Sequence, residues 1–203
     1  MMAVCVRSGA AELVMRDISL DATAPPNSLH YTLSGPNGSV SGNDRFDGGL
    51  ALSIGLRYAL TPPASALGGV VSGDIYGSDQ FYPGGGIRRC YGVRLGAGLG
   101  WAPADSWQLA AGPLATIGRS RLDLPSSSSQ PAFDVQGSAI GFGFQAMVLY
   151  AISDRWWMQF DAGYLRETAH SSGSGFTLDT VVSGPTIGIG FSYRPFTAPR
   201  RLE

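Results

Sequence analysis

Four stretches of the sequence alternate between a face of apolar side chains and a face that is mostly small or polar, and this period of two constrains the fold more than any other feature. Between Leu50 and Leu60 the even positions carry Leu, Ile or Tyr, while the odd positions carry Ala, Ser, Gly and Arg57. The pattern returns in residues 91–101, 140–152 and 187–194. Side chains of a β-strand point alternately to two faces, so these stretches predict strands with one apolar and one small or polar face.

Weaker alternating segments lie between these four, and a short turn joins each of them to its predecessor. The short turns are rich in Pro, Ser and Asp, whereas the connections at the other end, such as residues 24–47, are long and rich in Gly and Ser. We therefore predict one all-β domain over residues 1–203, an eight-stranded antiparallel up-and-down barrel. Its strands are predicted at approximately 12–23, 47–60, 67–78, 90–102, 107–122, 137–152, 156–168 and 181–194.

The apolar face of these strands is predicted to point outward. Its branched and aromatic side chains are too bulky for eight strands to enclose, while the opposite face is rich in Gly, Ala and Ser and suits a narrow lumen. A soluble ligand-binding barrel has the reverse arrangement. Only 14% of the residues are charged, against roughly 25% in soluble domains, and no apolar run reaches the roughly 18 residues of a transmembrane helix. The sequence therefore predicts a barrel that crosses a membrane with its strands.

Six aromatic residues share the outward parity and lie beside a short turn or at the end of the last strand. A ring of amphipathic aromatic side chains at strand ends is typical of the interfacial girdle of a membrane barrel, where the rings bridge hydrocarbon and headgroups. The predicted girdle consists of Tyr58, Trp101, Trp107, Tyr150, Trp156 and Tyr193.

The closing segment Ile187 to Phe196, the alternating strands and the unequal connections resemble the small eight-stranded barrels of bacterial outer membranes, typified by the transmembrane domain of outer-membrane protein A. The resemblance covers most of the chain. It implies localisation in a bacterial outer membrane, with short turns and termini on the periplasmic side and long loops outside the cell. It also implies that the closing strand serves as the signal for an assembly machine.

A barrel of this kind is expected to have a structural or surface-interaction role that its extracellular loops carry. The expected partners are outer-membrane lipid and lipopolysaccharide, with Arg88 and Arg89 near the anionic headgroups, and a surface or host partner. A net charge of −1 without a long run of like charge gives no footprint for nucleic acid. No residue pattern indicates a cofactor or a metal.

Five charged residues have inward parity and form a predicted polar network in the lumen. The structural interpretation is a plug of paired charges, and the alternative is a narrow conduit for small solutes. We favour the plug because eight strands leave little free interior once side chains fill it. The residues are Arg57, Asp74, Arg94, Asp161 and Arg194.

One pair of residues suggests catalysis. His170 and Ser172 share a face of their strand, and the pair resembles the His-x-Ser pair of outer-membrane lipid A deacylases. Glu167 has the opposite parity and so does not orient His170. We therefore predict that the protein is not an enzyme, with a lipid A-modifying acyl hydrolase of the outer leaflet as the alternative.

Three local features are unusual for a regular barrel. Pro113 and Pro185 fall inside predicted strands, where each removes a ladder donor, and we expect a bulge at each. Arg16 shares the outward face of the first strand, so it would have to snorkel or lie beyond a bulge.

The first residues lack the apolar segment of a signal peptide, so we expect either a mature chain or a misplaced start.

Overall fold

The computed structural model describes residues 13, 15–60, 65–83, 85–124, 133–173 and 175–195. No helix among them is long and apolar enough to cross a membrane. Phe196 and the residues that follow lie outside the described part. The strands are β1 (Arg16–Ala24), β2 (Ser28–Gly35), β3 (Gly38–Arg45), β4 (Gly48–Leu60), β5 (Leu67–Tyr82), β6 (Gly86–Ala104), β7 (Trp107–Leu124), β8 (Phe133–Ala151), β9 (Trp156–Gly173) and β10 (Phe176–Tyr193).

Eight of these strands form a closed ring. Strand β1 pairs with β4, strands β4 to β10 pair in sequence order, and β10 pairs back onto β1. The closing pairs run from Ile18 opposite Tyr193 to Ala24 opposite Ile187, and every ladder of the ring is antiparallel. The ring is the eight-stranded up-and-down barrel that the alternation predicts.

Residues 24–47, which the sequence predicted as a loop, instead contain a two-stranded hairpin of β2 and β3. Strand β2 continues the line of β1, because β10 pairs with β1 over residues 187–193 and with β2 over residues 177–183 in one unbroken register. Gly38 follows the hairpin turn with a φ of 125°, a value that favours glycine. The prediction was wrong because the Ser, Thr and Gly residues of this segment resemble a loop in composition.

The two strand prolines produce no bulge, contrary to the prediction. Pro185 lies opposite Tyr164 in an unbroken register with β9, and Pro113 lies opposite Phe144 in an unbroken register with β8. Pro185 lies where β10 changes partner from β2 to β1. On that side it faces residues 25–27, which belong to neither strand, so its missing N–H removes no ladder hydrogen bond there. On its β6 side, Pro113 interrupts the ladder without shifting its register, since the pairs Ala97–Pro113 and Gly98–Gly112 are missing, and the register itself shifts between Trp101 and Ala104.

The outside of the ring is apolar and the inside polar. Outward side chains such as Phe142 and Ile187 are 68% and 69% exposed, whereas the inward Ser19 and Ser192 are fully buried. On β6 the uncharged outward positions run from Tyr91 to Trp101. A strand rises about 3.3 Å per residue, and at a tilt of about 40° this stretch covers about 25 Å along the barrel axis. That is the height of the apolar band of a membrane barrel. The ring is therefore built to span a membrane.

Several strands run further than predicted at the end of the barrel that carries the β2–β3 hairpin, called here the hairpin end. Strand β5 continues to Tyr82, β6 begins at Gly86, β9 continues to Gly173 and β10 begins at Phe176. The outward side chains of these extensions are largely polar. Much of what the sequence predicted as loop is thus a rim of strand extending beyond the apolar belt.

A substitution at the outward-facing Leu95 tests whether this face of the barrel lies in the membrane. We expect Leu95→Arg to lower the free energy of unfolding in lipid vesicles by about 2 to 4 kcal/mol, because Leu95 is 55% exposed near the middle of the apolar belt. Val40, 66% exposed on the hairpin, provides the control: Val40→Arg should change stability by about 1 kcal/mol or less. Urea titration of the vesicle-inserted proteins measures both, and equal losses would contradict the placement.

Candidate functional site

The part of the lumen nearer the short turns holds charges in contact with aromatic and amide groups. The Arg57 guanidinium lies 3.9 Å from an Asp17 carboxylate oxygen and 3.7 Å from an Asp21 oxygen. The Arg194 guanidinium stacks on the Trp157 ring at 3.8 Å from its centroid. Arg57, Asp17 and Arg194 are all buried. Each cation therefore has an anionic or aromatic partner, as buried charge requires.

The remaining predicted lumen residues also point inward. Asp161, 5% exposed, accepts hydrogen bonds from Gln145 Nε2 at 3.2 Å and Gln159 Nε2 at 3.4 Å. Asp74, 8% exposed, lies directly across from Arg94 on β6. All five predicted residues thus face the lumen, although they divide into several local contacts instead of one continuous network.

A second polar cluster, which the sequence analysis did not identify, lies nearer the hairpin end. Arg88 forms a buried ion pair with Glu167, and its Nη1 donates to Gln80 Oε1 at 2.5 Å. Gln80 in turn donates from Nε2 to the Pro26 carbonyl oxygen at 2.5 Å, while Tyr76 donates to Glu167 at 3.3 Å. Arg88, predicted near headgroups, belongs to this interior cluster; its parity with Arg94 on β6 is the signal that could have placed it there.

Apolar clusters close the lumen on both sides of the polar layers. The cluster towards the short turns contains Leu13, Met15, Leu149 and Trp157 among its buried members. At the hairpin end, two clusters form around Leu29, Phe46 and Val182 and around Leu122, Val135 and Leu178. An interior cavity beside Tyr76, Arg88 and Glu167 has a volume of about 30 Å³, room for one or two water molecules. Side chains of the described residues therefore occupy much of the lumen.

The six aromatic residues of the predicted girdle lie on the outside at the turn end. Trp107 packs on Tyr150 with ring centroids 4.8 Å apart, and Trp156 packs on Tyr193 at 5.0 Å. Tyr58 and Trp101 are 45% and 51% exposed. Arg16 is directly opposite Tyr58, with its guanidinium 5.2 Å from the ring centroid. Arg16 therefore lies at the level of the aromatic ring, outside the apolar belt, and needs no bulge.

The structure supplies an orienting acid for His170 that the sequence analysis did not assign. Asp179 of β10 lies directly across from His170, and its Oδ1 is 2.5 Å from the imidazole Nδ1. On the other side of His170, Ser138 of β8 occupies the directly opposite position. Ser172 shares the outward face of β9, and Glu167 points inward as predicted. Among the described contacts, neither serine hydroxyl is hydrogen-bonded to His170.

Charged side chains cover the outside of β5 to β8 at the hairpin end. Arg121 binds Asp134 through two hydrogen bonds of 2.7 Å and 3.0 Å, and one Asp123 oxygen lies 3.9 Å from both Arg121 and Arg89. Arg89 is also 3.9 Å from Asp79. These side chains are about half exposed, so each pair adds little stability, but together they form an ordered charged surface.

The hairpin is tied to this rim by a hydrogen bond from the Tyr82 hydroxyl to an Asp44 carboxylate oxygen at 2.5 Å. This bond, supported by the Arg45 backbone N–H, lowers the pKa of Asp44 below its usual value.

The described residues contain no group of His, Cys, Asp and Glu that could hold a metal ion. The chemical groups that the rim presents are hydrogen-bonding, cationic and imidazole groups.

No protein-family model and no curated protein sequence matches the chain. Solved structures do match. The outer-membrane protease OmpT of Escherichia coli aligns over 92% of this chain and 99% of its own, with 7% identity and a TM-score of 0.50. OprG of Pseudomonas aeruginosa aligns over 91% and 98%, with 17% identity and a TM-score of 0.47. Ail of Yersinia pestis, solved with the heparin analogue sucrose octasulfate, aligns over 88% and 100%, with 14% identity and a TM-score of 0.34. The chain has the fold of bacterial outer-membrane β-barrels.

The Arg88–Glu167 pair makes a testable contribution to stability. We expect Glu167→Leu to lower the free energy of unfolding by about 3 to 5 kcal/mol, because it leaves the Arg88 charge buried without its carboxylate. The double variant Arg88→Met/Glu167→Leu should recover most of that loss, since it leaves no charge behind. Urea unfolding in vesicles measures both variants. A double variant less stable than the single one would show that the pair itself stabilises the barrel.

Proposed function

We propose that the chain is an integral outer-membrane barrel that acts at the cell surface through the polar rim at its hairpin end, in a structural or surface-interaction role. The supporting observation is the change in outward chemistry along single strands. On β9 the outward positions pass from Phe160 and Tyr164 to His170 and Ser172, and on β6 from Tyr91 to Arg89. The same rigid strands thus serve the membrane and the polar surface above it.

The β2–β3 hairpin is the most prominent polar part of this rim. Its exposed cross-strand pairs are joined by hydrogen bonds between Thr32 and Ser41 at 2.9 Å and between His30 Nδ1 and Asn43 Oδ1 at 2.7 Å. Fixed cross-strand pairs limit the entropy that such side chains lose when they contact a partner. A hydrogen-bonding surface of this kind suits a polar partner such as a saccharide or the polar face of a protein.

The interior argues against transport as the main role. Solutes crossing the barrel would have to pass the buried Leu149 and Trp157 at one end and Phe46 and Val182 at the other. Between them lie buried charges such as Arg57, which faces Asp17, and Arg194, which stacks on Trp157, together with a cavity of about 30 Å³. A conduit would require these layers to separate.

Shortening the hairpin tests the surface role. Replacing residues 32–41 with Asn-Gly joins Tyr31 to Gly42, which are directly opposite each other, through a two-residue turn. We expect bacteria carrying this variant to adhere less to epithelial monolayers and to one another, while the barrel still folds, as its altered gel migration without boiling would show. Arg155→Ala, at the opposite end of the barrel, is the control. Undiminished adherence of the hairpin variant would contradict the proposal.

A second candidate is hydrolysis of an acyl ester in the outer leaflet, favoured by the contact between His170 and Asp179. In this reaction the carboxylate of Asp179 accepts the Nδ1–H, which leaves Nε2 as the base. A serine hydroxyl, from Ser172 or Ser138, attacks the ester carbonyl and gives its proton to His170. The alcohol leaves with that proton, and water then releases the acyl group from serine by the same steps.

The two candidate functions differ in what His170→Ala does. The surface role predicts that the fatty acids on lipid A stay unchanged when cells express wild type, His170→Ala or no protein, as mass spectrometry of extracted lipid A measures. If the protein is a hydrolase, lipid A loses an acyl chain only in cells that express the wild type. The Asp179→Asn variant then releases the fatty acid about 10⁴-fold more slowly than the wild type. In that case, separate Ser172→Ala and Ser138→Ala variants identify the nucleophile.

A further inference from the structure

A groove of about 620 Å³ lies on the outside of the barrel between β6 and β9, just above the apolar belt. Three of its lining residues are arginines, and none is acidic. We call it the arginine groove; its main lining side chains are Arg89, Tyr91, Arg119, Arg121, Ser138 and Ser172.

Arginines are placed side by side in this groove in a way that requires anions. Arg89 of β6 and Arg121 of β7 are directly opposite each other on one face, an arrangement that is destabilising for like charges. The carboxylate of Asp123 lies 3.9 Å from both, and Asp134 binds Arg121 at 2.7 Å. Carboxylates of the rim therefore offset the charge of these two arginines.

Arg119 adds a third cation to the groove. It lies two residues from Arg121 on the same face of β7 and directly across from Tyr91. Its side chain is exposed, and among the described contacts it has no carboxylate partner. Among the described residues, the groove thus keeps one exposed cation that no carboxylate of the chain occupies and that is open to an anion of another molecule.

The level of Arg119 relative to the apolar belt indicates which kind of molecule would supply the anion. The next outward residue of β7 towards the turn end is Ile117, 62% exposed, and the next on β6 after Tyr91 is Val93, 46% exposed. Both belong to the apolar belt. Arg119 and Tyr91 therefore lie at the boundary where hydrocarbon gives way to headgroups, the level at which amphipathic aromatic residues are enriched.

We propose that the arginine groove binds the phosphorylated headgroup of an outer-leaflet membrane lipid, with Arg119 as its principal phosphate ligand. The planar guanidinium donates two parallel hydrogen bonds to phosphate oxygens, and the acyl chains of the same lipid lie along the apolar belt below. The inference rests on the proposed orientation, in which the hairpin end faces outside. It adds a lipid partner at the base of the rim.

Native mass spectrometry of the detergent-folded protein tests the site, with bis-phosphorylated lipid A as the probe. We expect Arg119→Ala to weaken binding about tenfold or more, the loss of one charge-assisted contact. Arg119→Lys should bind with intermediate affinity, because an ammonium cannot form the paired bonds. Arg155→Ala removes an equal charge at the turn end and should bind like the wild type. Altered gel migration without boiling confirms that each variant is folded.

Two further binding measurements show whether the phosphate that binds in the groove belongs to a lipid or is free in solution. Dephosphorylated lipid A should bind the wild type as weakly as bis-phosphorylated lipid A binds Arg119→Ala. Inorganic phosphate at millimolar concentration should not displace the lipid, since it lacks the acyl chains. Equal binding of wild type and Arg119→Ala, or full displacement by phosphate, would overturn the proposal. Adherence of Arg119→Ala cells tests the surface role separately, because that role depends on the hairpin and should survive this substitution.

Discussion

Closure of β10 onto β1 is the constraint on which the rest of the structure depends. A strand edge facing hydrocarbon would leave backbone N–H and C=O groups without partners, at several kcal/mol each. The pairs from Ile18–Tyr193 to Ala24–Ile187 remove that edge. Once the ring is closed, the outward positions must suit lipid and the inward positions must fill a narrow lumen. The alternating sequence follows from these two requirements.

The closed ring also explains where polar groups could be placed. Inside, eight strands leave room for side chains but not for bulk water, so Arg57, Arg194 and Arg88 each lie against a carboxylate, an amide or an aromatic ring. Outside, most polar groups of the described residues lie on the strand segments beyond the apolar belt, although the exposed Arg166 lies directly opposite Phe142. The exposed polar side chains of the described residues therefore lie mainly towards the ends of the strands, and the hairpin end carries the more varied set.

The sequence was sufficient to predict the fold class, the order of the eight ring strands and the inward or outward side of each predicted site residue, because a period of two is a local property. It could not predict contacts that depend on register. Asp179 reaches His170 only because β9 and β10 pair in one particular alignment, and the reach of Arg88 to Glu167 depends on closure of the whole ring. The hairpin of residues 28–45 was missed for a different reason, since small polar residues serve loops and exposed strands equally well.

The apolar clusters at both ends of the lumen have a consequence for ionic strength. They separate the interior charges from bulk solution, so dissolved salt screens pairs such as Arg88–Glu167 much less than exposed pairs. Arg89 and Arg121, about half exposed on the rim, are open to the same ions. A bacterium that moves between dilute and saline surroundings would thus keep an unchanged barrel while the exposed ion pairs of the rim weakened with rising salt.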